Sequence, residues 1–175
     1  PYAKVQELAQ ACADKDHLCV AANDNADGQV VLSGHLPAIE KAVALAPDFG
    51  AKRCIQLPVS APFHSPLMEP AARVMAEALS QTEAHAPSVP LISNVSARAV
   101  ETKEEIIANL IAQVTGSVRW RETVDYMAEQ GVTDAAELGA GKVLSGIIKR
   151  SNKGINAVSC GTAAEIEELA KSLKN

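Results

Sequence analysis

The 175-residue chain is 47% hydrophobic and 21% charged, an ordinary globular balance that excludes an intrinsically disordered protein. Sixteen basic against 21 acidic residues, a net charge of −5 and 3% aromatics provide neither a basic field for phosphates nor stacking platforms for bases, which excludes a nucleic-acid partner. No apolar run approaches the roughly 20 residues that span a bilayer, so no membrane partner is expected.

Cys12, Cys19, Cys54 and Cys160 are scattered with no zinc-like spacing, and are read as four buried free thiols in a reducing cytoplasm, with no metal. Pro1 is no initiator, and the residues after it form no signal peptide. The chain is therefore expected to have been separated from an N-terminal portion.

Val5, Leu8, Ala9 and Cys12 recur at helical spacing, and residues 18–22 form an apolar run of strand length. The polar cluster 23–28 predicts a turn into a second strand over 29–34, with a loop longer than the tightest hairpin type. A helix then carries Ile39, Val43, Leu45 and Ala46 inward, and residues 51–58 read as a further strand. Helix, strand, strand, helix, strand is the order of a βαββαβ ferredoxin-like unit that lacks its first strand.

Beyond residue 58 the character changes. Four prolines at 58, 62, 66 and 70 stiffen a loop that gives way to a helix ending near Ser80, with Ser65 as N-cap and Pro66 at the first helical position. Residues 89–94 predict a short buried strand. Thr102 and Glu105 form a capping box for a helix carrying Ile106, Ile107, Leu110 and Ile111. Helix over 120–130, strand over 132–138, helix over 142–150 and strand over 155–158 come next, and a second capping box at Thr162 and Glu165 opens the last helix. This alternation implies a mostly parallel sheet covered on both faces, an α/β fold.

Two glycine patterns are discounted. Residues 139–144 lack the spacing of a dinucleotide loop or a P-loop. Ser159, between a strand and a helix, imitates a nucleophile elbow, but Thr162 places the helix start three residues too late. Lys142, Lys149, Arg150 and Lys153 read as a solvated helix face, with contact to an acidic partner as the alternative. The chemical signal lies in Leu57-Pro58-Val59-Ser60-Ala61-Pro62-Phe63-His64. A histidine fixed in a proline-stiffened loop just before a helix is held in one orientation, as a general base must be. His17, His35 and His85 have no such setting.

That segment, together with Asn23-Asp24-Asn25-Ala26-Asp27-Gly28-Gln29-Val30-Val31-Leu32-Ser33-Gly34 and Glu137-Leu138-Gly139-Ala140-Gly141-Lys142-Val143-Leu144, resembles three ordered motifs of the malonyl-CoA:acyl carrier protein transacylases. The resemblance covers essentially the whole chain, and the acyltransferase domains of polyketide synthases are its close rivals. It implies part of an α/β-hydrolase-like large subdomain, residues 59–175, with an inserted ferredoxin-like small subdomain, residues 1–58.

It further implies His64 as general base, the Gln113 carbonyl as the group that orients it, and Asn25, Phe63 and Val143 lining the acyl pocket, with Asn94 near the histidine loop. The implied substrates are malonyl-CoA and acyl carrier protein, and no separate cofactor is implied, coenzyme A arriving as the substrate thioester. The elbow serine, the oxyanion-hole glutamine and the arginine for the malonyl carboxylate have no counterpart in these residues, and Ala140 stands where the motif has proline. The chain alone is therefore expected to be inactive and to require the N-terminal segment of the same enzyme. A fragment that only completes a fold is the competing expectation.

Overall fold

The computed structural model describes residues 1–173, which divide into two compact units between Thr123 and Val124. The boundary falls within the helix Trp120–Glu129.

In the first unit α1 (Tyr2–Cys12) leads to the antiparallel hairpin β1 (Cys19–Ala26) and β2 (Gln29–Gly34), and α2 (Leu36–Leu45) follows. Leu8, Ala9 and Cys12 of α1 meet Cys19 and the buried Ala38, Ala42 and Ala46 in one core. Alanines, not the larger Ile39, Val43 and Leu45, are the fully buried residues here. Ile39 and Leu45 pack half-buried against them, and Val43 is half-buried.

The hairpin differs from expectation. Ala26 pairs with Gln29, so the connection is the two-residue Asp27-Gly28 turn, with Gly28 at φ 78°. Asp-Gly favours this tight geometry because glycine enters positive φ without a steric penalty. Asn23, Asp24 and Asn25, assigned to a loop, instead extend β1, with register shifts between Ala21 and Asn23 and between Asp24 and Ala26.

Residues 51–58 form no strand and are exposed throughout. A strand exists only where a neighbour takes its N–H and C=O groups, and the last strand of a βαββαβ sheet lies beside the first, which is not among the described residues. Cys54 is consequently exposed, while Cys12, Cys19 and Cys160 are buried, so three of the four thiols match the expected burial. Cys19 shows the consequence: burial, with a smaller contribution from nearby Cys12, pushes its thiol up to about 11.

A short 3-10 turn (Pro66–Met68) runs into α3 (Glu69–Ser80), which packs with α4 (Lys103–Thr115). Between them, β3 (Leu91–Ser93) pairs antiparallel with β4 (Arg98–Val100). The strand expected over 89–94 is thus shorter and only partly buried. The three residues of β4 are too few to show a period in the sequence. The capping box at Thr102 and Glu105 is fully formed.

Helix α5 (Trp120–Glu129) crosses the boundary between the units. The second unit is a βαβ arrangement: β5 (Asp134–Leu138), α6 (Val143–Ser151) and β6 (Asn156–Cys160), the two strands parallel, followed by α7 (Ala163–Ser172) behind its own capping box. In place of the one mostly parallel sheet expected, the described strands make three two-stranded sheets, of which only β5–β6 is parallel, because each strand here pairs with its neighbour in sequence. The class is nonetheless mixed α/β.

Candidate active site

The loop before α3 is fixed from both sides. Pro62 has its own φ locked, and Pro66 confines Ser65 to extended backbone, observed at φ −136° and ψ 160°. Between them lie Phe63 and His64, and His64 has φ 56°, in the left-handed region. A non-glycine residue there costs on the order of 1–3 kcal/mol and persists only where its surroundings impose it.

The sequence makes Ser65 a side-chain N-cap, and it does occupy that position, but its side chain caps no helix amide. Met68 N–H bonds to the Ser65 carbonyl instead, and the Ser65 hydroxyl, fully buried, donates backwards to the Pro62 carbonyl at 2.7 Å. A buried hydroxyl takes the nearest unpaired acceptor, and here that acceptor lies on the far side of the histidine.

His64 Nδ1 lies 2.9 Å from the backbone carbonyl of Gln113, near the end of α4. A carbonyl only accepts, so Nδ1 carries the proton and Nε2 keeps its lone pair. The Gln113 side chain also approaches, its Nε2 lying 3.4 Å from Nδ1. Both nitrogens are then donors, so the shorter carbonyl contact sets the tautomer. That amide instead donates to the Gly116 carbonyl at 2.9 Å, tying off the end of α4. A fixed imidazole with an unprotonated outer nitrogen can remove a proton from a hydroxyl or thiol brought to it.

Not all of the other sequence candidates touch this pair. Phe63 adjoins His64 and is 49% exposed, so it is no core residue of the described chain. Asn94 lines a cavity of about 180 Å³ together with Leu91, Ile106 and Gln113. Asn25 lies half-buried on β1. Neither it nor Asn94 bonds to His64.

The β1 hairpin is tied to the residues that follow α4: Ser117 Oγ donates to the Ala21 carbonyl at 2.6 Å, Val118 N–H to Ala22 and Asp24 N–H to Val118, both at 2.8 Å. Arg121 adds an ion pair to Asp24, which is 2% exposed. Sequence reasoning missed this pairing, for which no local signal exists, since 97 positions separate the partners.

Val143 lies in the second unit, where it opens α6 with its side chain exposed. Glu137, at the end of β5, holds that helix start: its carboxylate accepts from Leu144 N–H at 3.1 Å, Ser145 N–H at 2.8 Å and the Ser145 hydroxyl at 2.7 Å. The Ser145 amide, then its hydroxyl, hold the carboxyl below the ordinary glutamate value. An acidic residue at a strand end ahead of a glycine loop and a helix is the signal that marks it. The loop between needs its glycines, since Gly139 and Gly141 have φ of 125° and 102°. Ser159 lies within β6, opposite Glu137, and is no elbow. Among the described residues no group of three or more His, Cys, Asp or Glu is placed to hold a metal, and no helix is long and apolar enough to cross a membrane.

No protein-family model matches the chain. Curated relatives do. It is 38% identical over 170 residues to the malonyl CoA-acyl carrier protein transacylase of Bacillus subtilis, covering 97% of this chain and 54% of the relative. It is 41% identical over 145 residues to that of Escherichia coli, covering 82% and 47%.

Among solved structures, an acyl-carrier-protein S-malonyltransferase from Bartonella henselae superposes with a TM-score of 0.93 at 47% identity, over 100% of this chain and 55% of that one. A malonyl-transacylase solved in complex with a type II polyketide acyl carrier protein gives 0.89 at 35%, over 97% and 55%. The chain thus spans about half the length of the relatives it matches, and by both sequence and fold it belongs to the malonyl-CoA:acyl carrier protein transacylase family.

Proposed function

We propose that the protein takes part in transfer of malonyl from coenzyme A to the phosphopantetheine thiol of acyl carrier protein, in cytoplasmic fatty acid biosynthesis. The observation that carries this reading is the His64 imidazole, its Nδ1 held at 2.9 Å by a backbone carbonyl and its Nε2 left free, in a chain similar over 97% of its length to a transacylase.

In this reading the nucleophile is a serine on a segment outside these residues. His64 Nε2 removes its proton as it attacks the thioester carbonyl, then returns that proton to the departing coenzyme A thiol. In the second half it takes the proton of the carrier thiol, the thiolate attacks the acyl-serine, and the proton passes from Nε2 to the departing serine oxygen, which regenerates the enzyme. Gln113 acts through its carbonyl, stabilising the imidazolium without a carboxylate. The motif resemblance assigns Asn25, Phe63 and Val143 to the acyl pocket, residues 1–58 to the small subdomain and 59–175 to part of the large one. Coenzyme A enters only as substrate, and no other cofactor takes part.

The test is to assay residues 1–175 alone and joined to the N-terminal half of a relative. Malonyl transfer is expected only from the joined protein. Malonyl found by mass spectrometry on any serine of the chain alone would refute the assignment of the nucleophile to another segment. An inactive joined protein that folds would count against the reading as a whole.

A further inference from the structure

We propose that Ser65 is a positioning residue for His64: its hydroxyl, by holding the Pro62 carbonyl, keeps the histidine backbone in the left-handed conformation from which Nδ1 meets Gln113. This deepens the proposed function and rests on it for its kinetic part only. Four observations converge. His64 is one of two non-glycine residues with positive φ among the described residues. It occupies the third place of a tight turn over residues 62–65, a place that glycine or asparagine fills most cheaply. The turn is closed by a side chain, the Ser65 hydroxyl to the Pro62 carbonyl at 2.7 Å. And Ser65 is 0% exposed, so water cannot replace that hydrogen bond.

The surroundings leave His64 as the joint that gives way. Pro66 fixes the Ser65 backbone, and the Pro62 ring fixes its own φ. Without the hydroxyl, the Phe63–His64 pair is free to relax towards negative φ, which swings the ring from the Gln113 carbonyl. The 3-10 turn that leads into α3 is unaffected, because Ser65 caps that turn through its backbone carbonyl, to Met68 N–H at 3.0 Å, and not through its side chain. Packing alone does not explain the hydroxyl, since alanine fills most of the same volume.

The experiment compares Ser65→Ala and Ser65→Cys with the parent in two readouts. The first is the nitrogen chemical shifts of His64 by NMR, which report the tautomer without any substrate. The second is kcat and KM for malonyl transfer in the joined protein. For Ser65→Ala we expect shifts moving from a single Nδ1–H form towards a mixture of tautomers. We also expect kcat lowered about ten- to a hundred-fold, as for a misplaced catalytic group, with KM for malonyl-CoA within about two-fold. Ser65→Cys, of similar shape but a weaker donor, should fall between.

Parent-like shifts in Ser65→Ala overturn the proposal, and so does a loss of melting temperature with shifts and kcat unmoved. If Ser65→Ala does not fold, Ser65→Cys decides by the same readings, intermediate values supporting the proposal and parent-like values overturning it. Altered shifts in a joined protein that transfers no malonyl would support the positioning role while refuting the transfer reading.

Discussion

Arg121 donates from both Nε and Nη2 to one oxygen of Asp24, Oδ2, at 3.0 and 2.8 Å. The other carboxylate oxygen, Oδ1, is buried without a hydrogen-bond partner among the described residues, so the guanidinium is the main compensation for a carboxylate that is 2% exposed. The pair fastens β1 to the segment after α4, the helix whose end carries the Gln113 carbonyl.

The two ends of this pair are therefore unequal. Arg121→Ala strands Asp24 in the interior and should cost about 2–4 kcal/mol, somewhat below the value for a fully buried pair because the Arg121 side chain is 35% exposed. Asp24→Ala leaves an arginine that can reach water and should cost about 1–2 kcal/mol. Urea denaturation of both variants measures the difference. Equal costs, or a larger cost for Asp24→Ala, would show that the ion pair is not what holds the hairpin.

His64→Ala in the joined protein should lower malonyl transfer about 10²- to 10⁴-fold, the usual worth of a positioned base, with the fold intact. Gln113→Ala should cost less than about ten-fold, since the carbonyl facing Nδ1 belongs to the backbone and only the side-chain bond to Gly116 is lost. Equal losses at unchanged melting temperature would contradict the division of roles.

Phe63→Ser should relax the preference for malonyl-CoA over methylmalonyl-CoA by about ten- to two-hundred-fold, the value of one methyl group in an apolar pocket. Because Phe63 is 49% exposed, the substitution should leave the melting temperature of this chain nearly unchanged. The kcat/KM ratio for the two substrates, before and after, is the measurement. An unchanged ratio would remove Phe63 from the acyl pocket.

Glu137 gives a pH dependence with a definite sign. Its carboxyl is held below the ordinary value of 4.5 by the Ser145 amide, the Ser145 hydroxyl and weaker bonds from Leu144 and Val143. A carboxyl depressed in the folded state binds its proton more readily when unfolded, so the stabilisation is complete above 4.5 and is lost as pH falls from there through the lower folded value. Glu137→Gln should destabilise the protein at neutral pH and flatten that part of the acid profile. Melting curves from neutral pH down to about 3 test this, and parallel profiles for the two proteins would dismiss the helix-start carboxylate as a source of stability.

The sequence by itself determined the elements whose causes are local. Capping boxes at Thr102 and Thr162 need only residues three apart, and both formed. Pro66 confined its neighbour, the period of apolar residues placed α1, and α3 and the β5–α6–β6 run lie within a few residues of their expected bounds. It also singled out His64, because proline chemistry on both sides of a histidine is a local signal, and the motif resemblance paired it with Gln113.

Tertiary structure decided whatever depended on a distant partner. Residues 51–58 read as a strand and form none, for want of a neighbour to take their backbone groups. The Asn and Asp residues of 23–25 have turn composition and sit in a strand, because Val118 and Arg121 receive them there. Ser65 has the identity of a cap and bonds the other way, because the Pro62 carbonyl was closer to hand than a helix amide already bonded to the Ser65 backbone. A side chain's donors and acceptors are written in its residue type. Which of them is met depends on what the folded chain brings within about 3 Å.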